Sequence, residues 1–352
     1  MTSGTKLWSA ATGMLIPLVS MLFSPLVYAE DQHWVQRINM SGVVEAEYGS
    51  AESFDGTKSS DIAVATVEVN IDAKVTDKVN AYITLLHEED ATDFSVDAAY
   101  IDVDLGVVNV QAGAMGAPFG AFASHMLSDP LTLQIAETAE SMLQVSKEMG
   151  PIHAAVYVFN GSTQEEGADD VADQMGVHLA YVTEGEGSSM DIGIDHINNI
   201  ADSDAIGDYL ENNPAGPASN IVKAYVPAQI IHVNLSFGSF HFIAEHLMAD
   251  KFDAAEISFK GKGAEITATN LELAYDFSLA GMASTIGVAA QSTAEAVALG
   301  MPESKTLVSL SMEIFKFTAL SFEYTSSSDY ALTDGGTGKD ANSFTAQLAV
   351  GF

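Results

Sequence analysis

Apolar and polar residues alternate one for one in several short stretches along the chain. Val67, Val69 and Ile71 oppose Glu68, Asn70 and Asp72. Ile101, Val103 and Leu105 oppose Asp102 and Asp104. Val108, Val110 and Ala112 oppose Asn109, Gln111 and Gly113, and Leu271, Leu273 and Tyr275 oppose Glu272, Ala274 and Asp276. A period of two sends successive side chains to opposite faces of an extended backbone, so each stretch reads as a strand with one apolar and one polar face. Sixteen strands are predicted, over residues 38–48, 61–73, 78–87, 94–105, 107–115, 140–148, 151–159, 172–183, 188–197, 221–235, 239–249, 267–277, 282–291, 304–314, 317–326 and 341–352. The last places Phe344, Ala346, Leu348, Val350 and Phe352 on one face.

The connections carry a second pattern. Short ones fall at Thr76-Asp77, Gly106, Gly150-Pro151, 184–187, Phe237-Gly238, 278–281 and Phe315-Lys316. Longer ones fall at 49–60, 88–93, 116–139, 160–171, 198–220, 250–266, 292–303 and 327–340, each after an odd-numbered strand. An even number of strands with short turns at one end and long loops at the other predicts a transmembrane antiparallel β-barrel, with short periplasmic turns, long extracellular loops and both termini periplasmic. Strand pattern starts at residue 38, so no plug domain is expected in the lumen.

The first 29 residues read differently. Lys6 is the only charge before Glu30, an apolar stretch covers about 10–26, and Val27-Tyr28-Ala29 resembles a cleavage site. This is the pattern of an export signal peptide removed near Ala29. Pro17 and Pro25 interrupt the stretch and speak against a transmembrane anchor. The expected organisation is a signal peptide over 1–29 and a single barrel domain over 30–352, exported by the Sec route to the outer membrane of a Gram-negative bacterium.

Composition agrees with a barrel. Hydrophobic residues make up 47% of the chain although its formal charge is −35. A lipid-facing exterior around a polar lumen accommodates both facts, because apolar residues are then plentiful but never contiguous. There is no cysteine, hence no disulfide and no thiolate chemistry. The acidic balance excludes nucleic acid as a partner. Carboxylates in alternating strands cannot face lipid, where a charge costs about 2–4 kcal/mol. Glu68, Asp72, Asp102 and Asp104 are therefore expected to line the lumen and to favour cations.

Other chemistry has little support. His178, His232, His241 and His246 lie on predicted strands, but no cysteine or helical histidine pair accompanies them, and neither a metal site nor a cofactor is expected. No Gly-x-Ser-x-Gly elbow, P-loop or zinc-protease motif occurs, so the chain is not expected to be an enzyme. A barrel hydrolase, whose site assembles from distant strands, remains the alternative from another class.

The connection 116–139 stands apart. Phe119, Phe122, Met126, Leu127, Leu131, Leu133 and Ile135 give it far more apolar side chain than a solvated loop needs. Asp129 before Pro130 has the form of a helix N-cap, with Leu131, Ile135 and Thr138 at helical spacing. A short helix of about two turns is predicted, folded inward to constrict the pore, with Phe119, Phe122 and Asp129 at the constriction. The alternative is packing between subunits of a trimer.

Specific residues in this region also resemble a known family. Ala117-Pro118-Phe119-Gly120, Leu127-Ser128-Asp129-Pro130-Leu131-Thr132, Glu137-Thr138 and Tyr157-Val158-Phe159-Asn160-Gly161 are similar to segments of the LbtU-type (legiobactin-uptake) siderophore porins, as are Ile38 to Gly42 and Glu45-Ala46-Glu47 near the start. The resemblance covers the mature chain in layout and is sharp over about 45 residues. It implies a sixteen-stranded barrel that passes ferric siderophores without a plug; a general cation-preferring diffusion porin is the alternative. It brings no catalytic residues. Expected partners are a ferric siderophore or other small solutes, outer-membrane lipid and a possible second copy of the chain.

Overall fold

The computed structural model describes residues 37–89, 94–213 and 220–352; the expected signal peptide lies outside them. All sixteen predicted strands form. They are β1 (Ile38–Glu52), β2 (Lys58–Lys74), β3 (Val79–Glu88), β4 (Ser95–Asp104), β5 (Asn109–Gly116), β6 (Ala139–Met149), β7 (Ile152–Phe159) and β8 (Gln174–Gly185), then β9 (Ser188–Ile197), β10 (Ala228–Phe237), β11 (Phe240–Ala249), β12 (Thr267–Leu279), β13 (Met282–Ala294), β14 (Ser304–Phe315), β15 (Thr318–Ser328) and β16 (Asp340–Gly351). Each pairs antiparallel with the next, and β1 pairs with β16 to close the barrel. At the seam the Gly42 amide donates to the Phe352 carbonyl and the Phe352 amide to the Gly42 carbonyl, each at 3.0 Å. Closure leaves no unpaired sheet edge.

The barrel is inside out relative to a soluble protein. On β4, Ile101 is 53% exposed and its neighbour Asp102 only 9%. Met40, Val44, Ile194, Leu273, Val288 and Val350 are exposed on the outer face, whereas Asn270, Glu272, Glu323 and Thr325 are buried. This is the polarity of a sheet solvated by hydrocarbon outside and by protein and water inside. Short turns and long loops segregate to opposite ends, here called the turn end and the loop end.

Beyond shifts of a few residues at strand ends, two elements differ from the sequence reading. The tenth strand begins at Ala228 rather than 221. Pro227, which has no amide hydrogen to give a ladder, immediately precedes it. Ile221–Val222 instead pairs in parallel with Gln164–Glu165, outside the barrel sheet. The helix in the 116–139 connection, α1 (Leu131–Ala136), has six residues, and Thr138 lies beyond its end. Its N-cap is Pro130, extended at φ −63 and ψ 144, with no side-chain cap bond. Asp129 therefore does not cap it, because the position that caps has passed to a residue without a polar side chain.

At the loop end the connections pack together. A second helix, α2 (Asp204–Asn212), presents Ile206 and Leu210 to a core that also holds Phe119, Leu131, Ile135, Ile200, Phe252 and Ile257. Burial of each such side chain contributes about 1.5–3 kcal/mol. The long connections of β7–β14 thus form a consolidated cap over α1.

Candidate functional site

The connection from β5 to β6 turns into the lumen. Its two ends are tied together by the Ala117 amide donating to Thr138 O at 2.7 Å. Gly120 then takes φ +99 and Phe122 takes φ 48. The Phe122 ring lies against Gly120 where a Cβ would stand, so only glycine fits there.

Beyond this bend the backbone is held by carboxylates of the barrel wall. Asp195 on β9 accepts the Gly120 amide at 3.0 Å. Glu245 on β11 accepts the amides of Ala121 at 2.8 Å and Phe122 at 3.0 Å, and the Thr132 hydroxyl at 2.5 Å. Glu272 on β12 accepts the Ser124 hydroxyl and the His125 amide, both at 2.8 Å. Glu323 on β15 accepts the Leu127 amide at 2.6 Å and the Ser128 hydroxyl. Gln291 on β13 and Ser309 on β14 complete the row through Leu131 N and His125 O. All four carboxylates are buried. Charge-assisted bonds of this kind are about twice as strong as neutral ones, and an unpaired buried carboxylate is costly, so loop and wall require each other.

The apolar side chains of the connection are buried by its own barrel: Phe119, Met126, Leu131 and Ile135 are each at most 1% exposed. Phe122 is partly buried against the core of Phe119, Leu131 and Ile135, and Asp129 is buried. The connection is thus an inward loop rather than an element packing between subunits.

The opposite wall is separate from this anchorage. On β1 to β4, Glu45, Glu47, Glu68, Asp72 and Asp102 share the inward parity, and the anchoring carboxylates are none of these. Asn109 and Gln111 donate to Asp102 at 2.6 and 3.0 Å, Asn70 donates to Glu68, and Gln347 to Glu47 at 2.7 Å. Tyr82 and Tyr100 stack with centroids 4.9 Å apart. Asp104 departs from expectation: exposed at the turn end, it accepts the Gly106 amide at 2.6 Å and so caps a turn. Asp195, Glu245 and Glu323 were not singled out from sequence, and Glu272 only as one polar partner in an alternating strand. Nothing local marks them, because the donors they serve lie 75 to 196 residues away.

The histidines do not converge on a metal geometry; among the described residues no three ligand-type side chains do. His178 Nδ1 lies 2.6 Å from Asp195, and His246 Nδ1 lies 2.8 Å from Thr269. Ser236, His241 and Asp276 form a chain of 2.8 and 2.9 Å, the residue types of a hydrolytic triad. Asp276 also accepts Thr285 at 2.7 Å, and all these groups belong to neighbouring strands, so the chain reads as cross-strand wall bonding.

Near the loop end, burial and then the charges of Asp204, Asp97 and Glu88 push Glu137 up to about 7. Burial, followed by Asp208 and Asp97, pushes Asp204 up to about 6. Burial first, and then His241, holds His125 below the usual imidazole range.

A closed sixteen-stranded barrel, apolar outside and crossed inside by a loop anchored to its wall, has the fold of the outer-membrane porins. No family model matches the chain. It is similar to a UPF0422 protein of Coxiella burnetii, 24% identical over 316 residues that cover 86% of this chain and 66% of that protein. It is also similar to the UPF0422 protein lpp3030 of Legionella pneumophila strain Paris, 27% identical over 358 residues that cover 90% and 66%. The chain thus spans 66% of the length of these curated relatives. Among solved structures, the anion-selective porin from Comamonas acidovorans superposes with a TM-score of 0.62 at 11% identity, covering 90% of this chain and 99% of that one.

Proposed function

We propose that the chain is an outer-membrane diffusion channel whose lumen favours cationic and neutral solutes, ferric siderophores among them. The observation that carries this reading is the division of the lumen's carboxylates into two sets. Asp195, Glu245, Glu272 and Glu323 are engaged by the inward loop. Glu45, Glu47, Glu68, Asp72 and Asp102 line the wall that faces what remains of the lumen. A low-dielectric tube lined by one sign of charge concentrates the opposite sign. The neighbour in the Comamonas porin is named for anion selectivity, and fold does not carry selectivity; the wall residues do. Within this reading the long loops face outward and the inward loop narrows the pore.

The siderophore part rests on the resemblance of residues 116–161 to the LbtU-type porins. Reversal potential in a salt gradient tests the channel part. Cation preference is expected, and it should fall when Glu68, Asp72 and Asp102 are neutralised together; an anion-selective channel would overturn the reading. Proteoliposome uptake of ferric complexes of equal size but different charge tests the siderophore part. Uptake of neutral and cationic complexes ahead of similar-sized organic cations without iron supports it, and equal rates leave a general cation-preferring porin.

A further inference from the structure

At the turn end of the lumen the wall changes character. An open recess of about 240 Å³ is lined by Arg37, Asn39, Asp72, Lys74, Asn80 and Tyr82. We propose that this recess binds zwitterionic solutes, small molecules carrying one ammonium and one carboxylate group, such as free amino acids and short peptides. The proposal rests on the channel reading and names a solute class for it.

The strand register builds the recess in two rows. Asn39, Asp72, Tyr82 and Tyr100 are cross-strand partners in one row, and Lys74, Asn80 and Asp102 in the next. Asp72 and Lys74 are two residues apart on β2 and share a face, about 6.6 Å along the strand. One small molecule can therefore touch both. The recess is the place where the acidic wall meets cationic side chains. Further toward the loop end the wall carries Glu45, Glu47 and Glu68, with Glu88 and Asp97 beyond them.

The groups are free to take a ligand. The Asp72 carboxylate, the Asn39 amide and the Asn80 amide make no side-chain hydrogen bond among the described residues. Arg37 is held in place by one bond, from Nη1 to Val75 O at 3.3 Å, and has five N–H donors in all. Lys74 pairs with Asp77 at 3.1 Å, but both side chains are well exposed, at 60% and 96%, and such pairs are weak enough for a ligand carboxylate to displace. Tyr82 adds an apolar face beside the charges, backed by the ring of Tyr100.

Charge decides which solute gains most here. An anion arriving from the loop end passes Glu45, Glu47 and Glu68 before it reaches Arg37 and Lys74, and there meets Asp72 and Asp102 beside them. A simple cation is attracted all along the wall and gains nothing from Arg37 or Lys74. A zwitterion is not repelled by the wall and uses both signs at once. The volume is below the roughly 300–1,000 Å³ of tight ligand sites, which suits brief residence during passage.

The test uses the full chain refolded in detergent, with binding read by saturation-transfer NMR and conduction measured in parallel in planar bilayers. The probes are L-leucine, L-leucinamide, which keeps only the ammonium, and N-acetyl-L-leucine, which keeps only the carboxylate. L-Leucine is expected to bind about tenfold more tightly than either, the worth of one added charge-assisted hydrogen bond. D72N and K74Q are each expected to remove that advantage, and both side chains are exposed enough for the barrel to fold without them. Equal binding of leucine and leucinamide would overturn the proposal by reducing the recess to a cation site. Leucine binding unchanged in both variants would overturn it too. A conducting channel that binds no leucine sinks the recess alone, and a folded preparation that binds leucine without conducting sinks the channel reading alone.

Discussion

The backbone amide of Leu127 lies 2.6 Å from Oε2 of Glu323, a carboxylate 196 residues further along the chain. The same glutamate receives the hydroxyl of Ser128. Two adjacent residues of the inward loop are thereby fixed to β15, ten strands beyond the one from which the loop departs. With Asp195, Glu245 and Glu272 the contact forms a curved rail of carboxylates along which the loop backbone lies. The rail explains how a loop with only one short helix keeps a defined path through the lumen.

Glu245 supports the rail through three donors of the loop. In E245A the amides of Ala121 and Phe122 and the hydroxyl of Thr132 lose their acceptor. A buried donor left unpaired costs about 1–3 kcal/mol. The variant is expected to be less stable by at least about 2 kcal/mol and to conduct more per channel as the loop loosens. Thermal unfolding in detergent and single-channel recording check the two parts. Loss of stability at unchanged conductance would show that the loop does not limit the pore.

Gly120 offers a conformational test of the same loop. Alanine there meets both the positive φ and the Phe122 ring. Gly150, at φ +65 in a short turn, has open space around it. G150A should cost about 1 kcal/mol, from backbone conformation alone. G120A should cost about 1–3 kcal/mol more, because packing adds to conformation. Equal losses would mean that the ring moves aside freely.

Acidity should tighten the loop end. Glu137 at about 7 and Asp204 at about 6 have folded-state values above those of unfolded carboxylic acids, so the folded protein holds protons that the unfolded chain releases. Their stabilising contribution is therefore complete below pH about 4 and is lost as pH rises through about 6 and about 7. E137Q mimics the protonated form and is expected to flatten the profile between those values. Unfolding midpoints measured from pH 5 to 8 decide it, and a native profile that rises with pH in the part E137Q removes would contradict the assignment.

Labelling of single cysteines on intact cells checks orientation. Cysteine at Asn160 or at Leu332, which is 79% exposed in a long loop, should react with an impermeant reagent. Cysteine at Asp77, in a turn, should not. Cysteine at Ser128 should react slowly although its connection follows an odd-numbered strand, since that position is shielded against Glu323 inside the lumen. Reaction at Asp77 ahead of Asn160 would reverse the topology.

The barrel itself was legible in the sequence because a lipid-facing sheet forces strict alternation, as Val67-Glu68-Val69-Asn70-Ile71-Asp72 shows. The apolar content of 116–139 likewise pointed inward, since Phe119 and Leu131 needed a surface to cover. Ile221-Val222 misled because two apolar residues look the same whether they join a barrel wall or a two-residue bridge to Gln164–Glu165. Asp129 misled because its place before a proline has the form of a cap, while Pro130 itself took the capping position. The rail was illegible for a deeper reason. Glu272 and Glu68 sit in similar alternating patterns, and only the three-dimensional path of the loop distinguishes a carboxylate that holds backbone from one that faces the passage.

The rail also has a direction. From Gly120 to Ser128 the loop meets Asp195, Glu245, Glu272 and Glu323 in the order in which their strands follow one another round the barrel. It then doubles back, for Leu131 bonds to Gln291 on β13 and Thr132 to Glu245 on β11. The far point of this hairpin is held by β15, the penultimate strand. A barrel lacking that strand would have its passage unfinished, whatever the state of its outer surface.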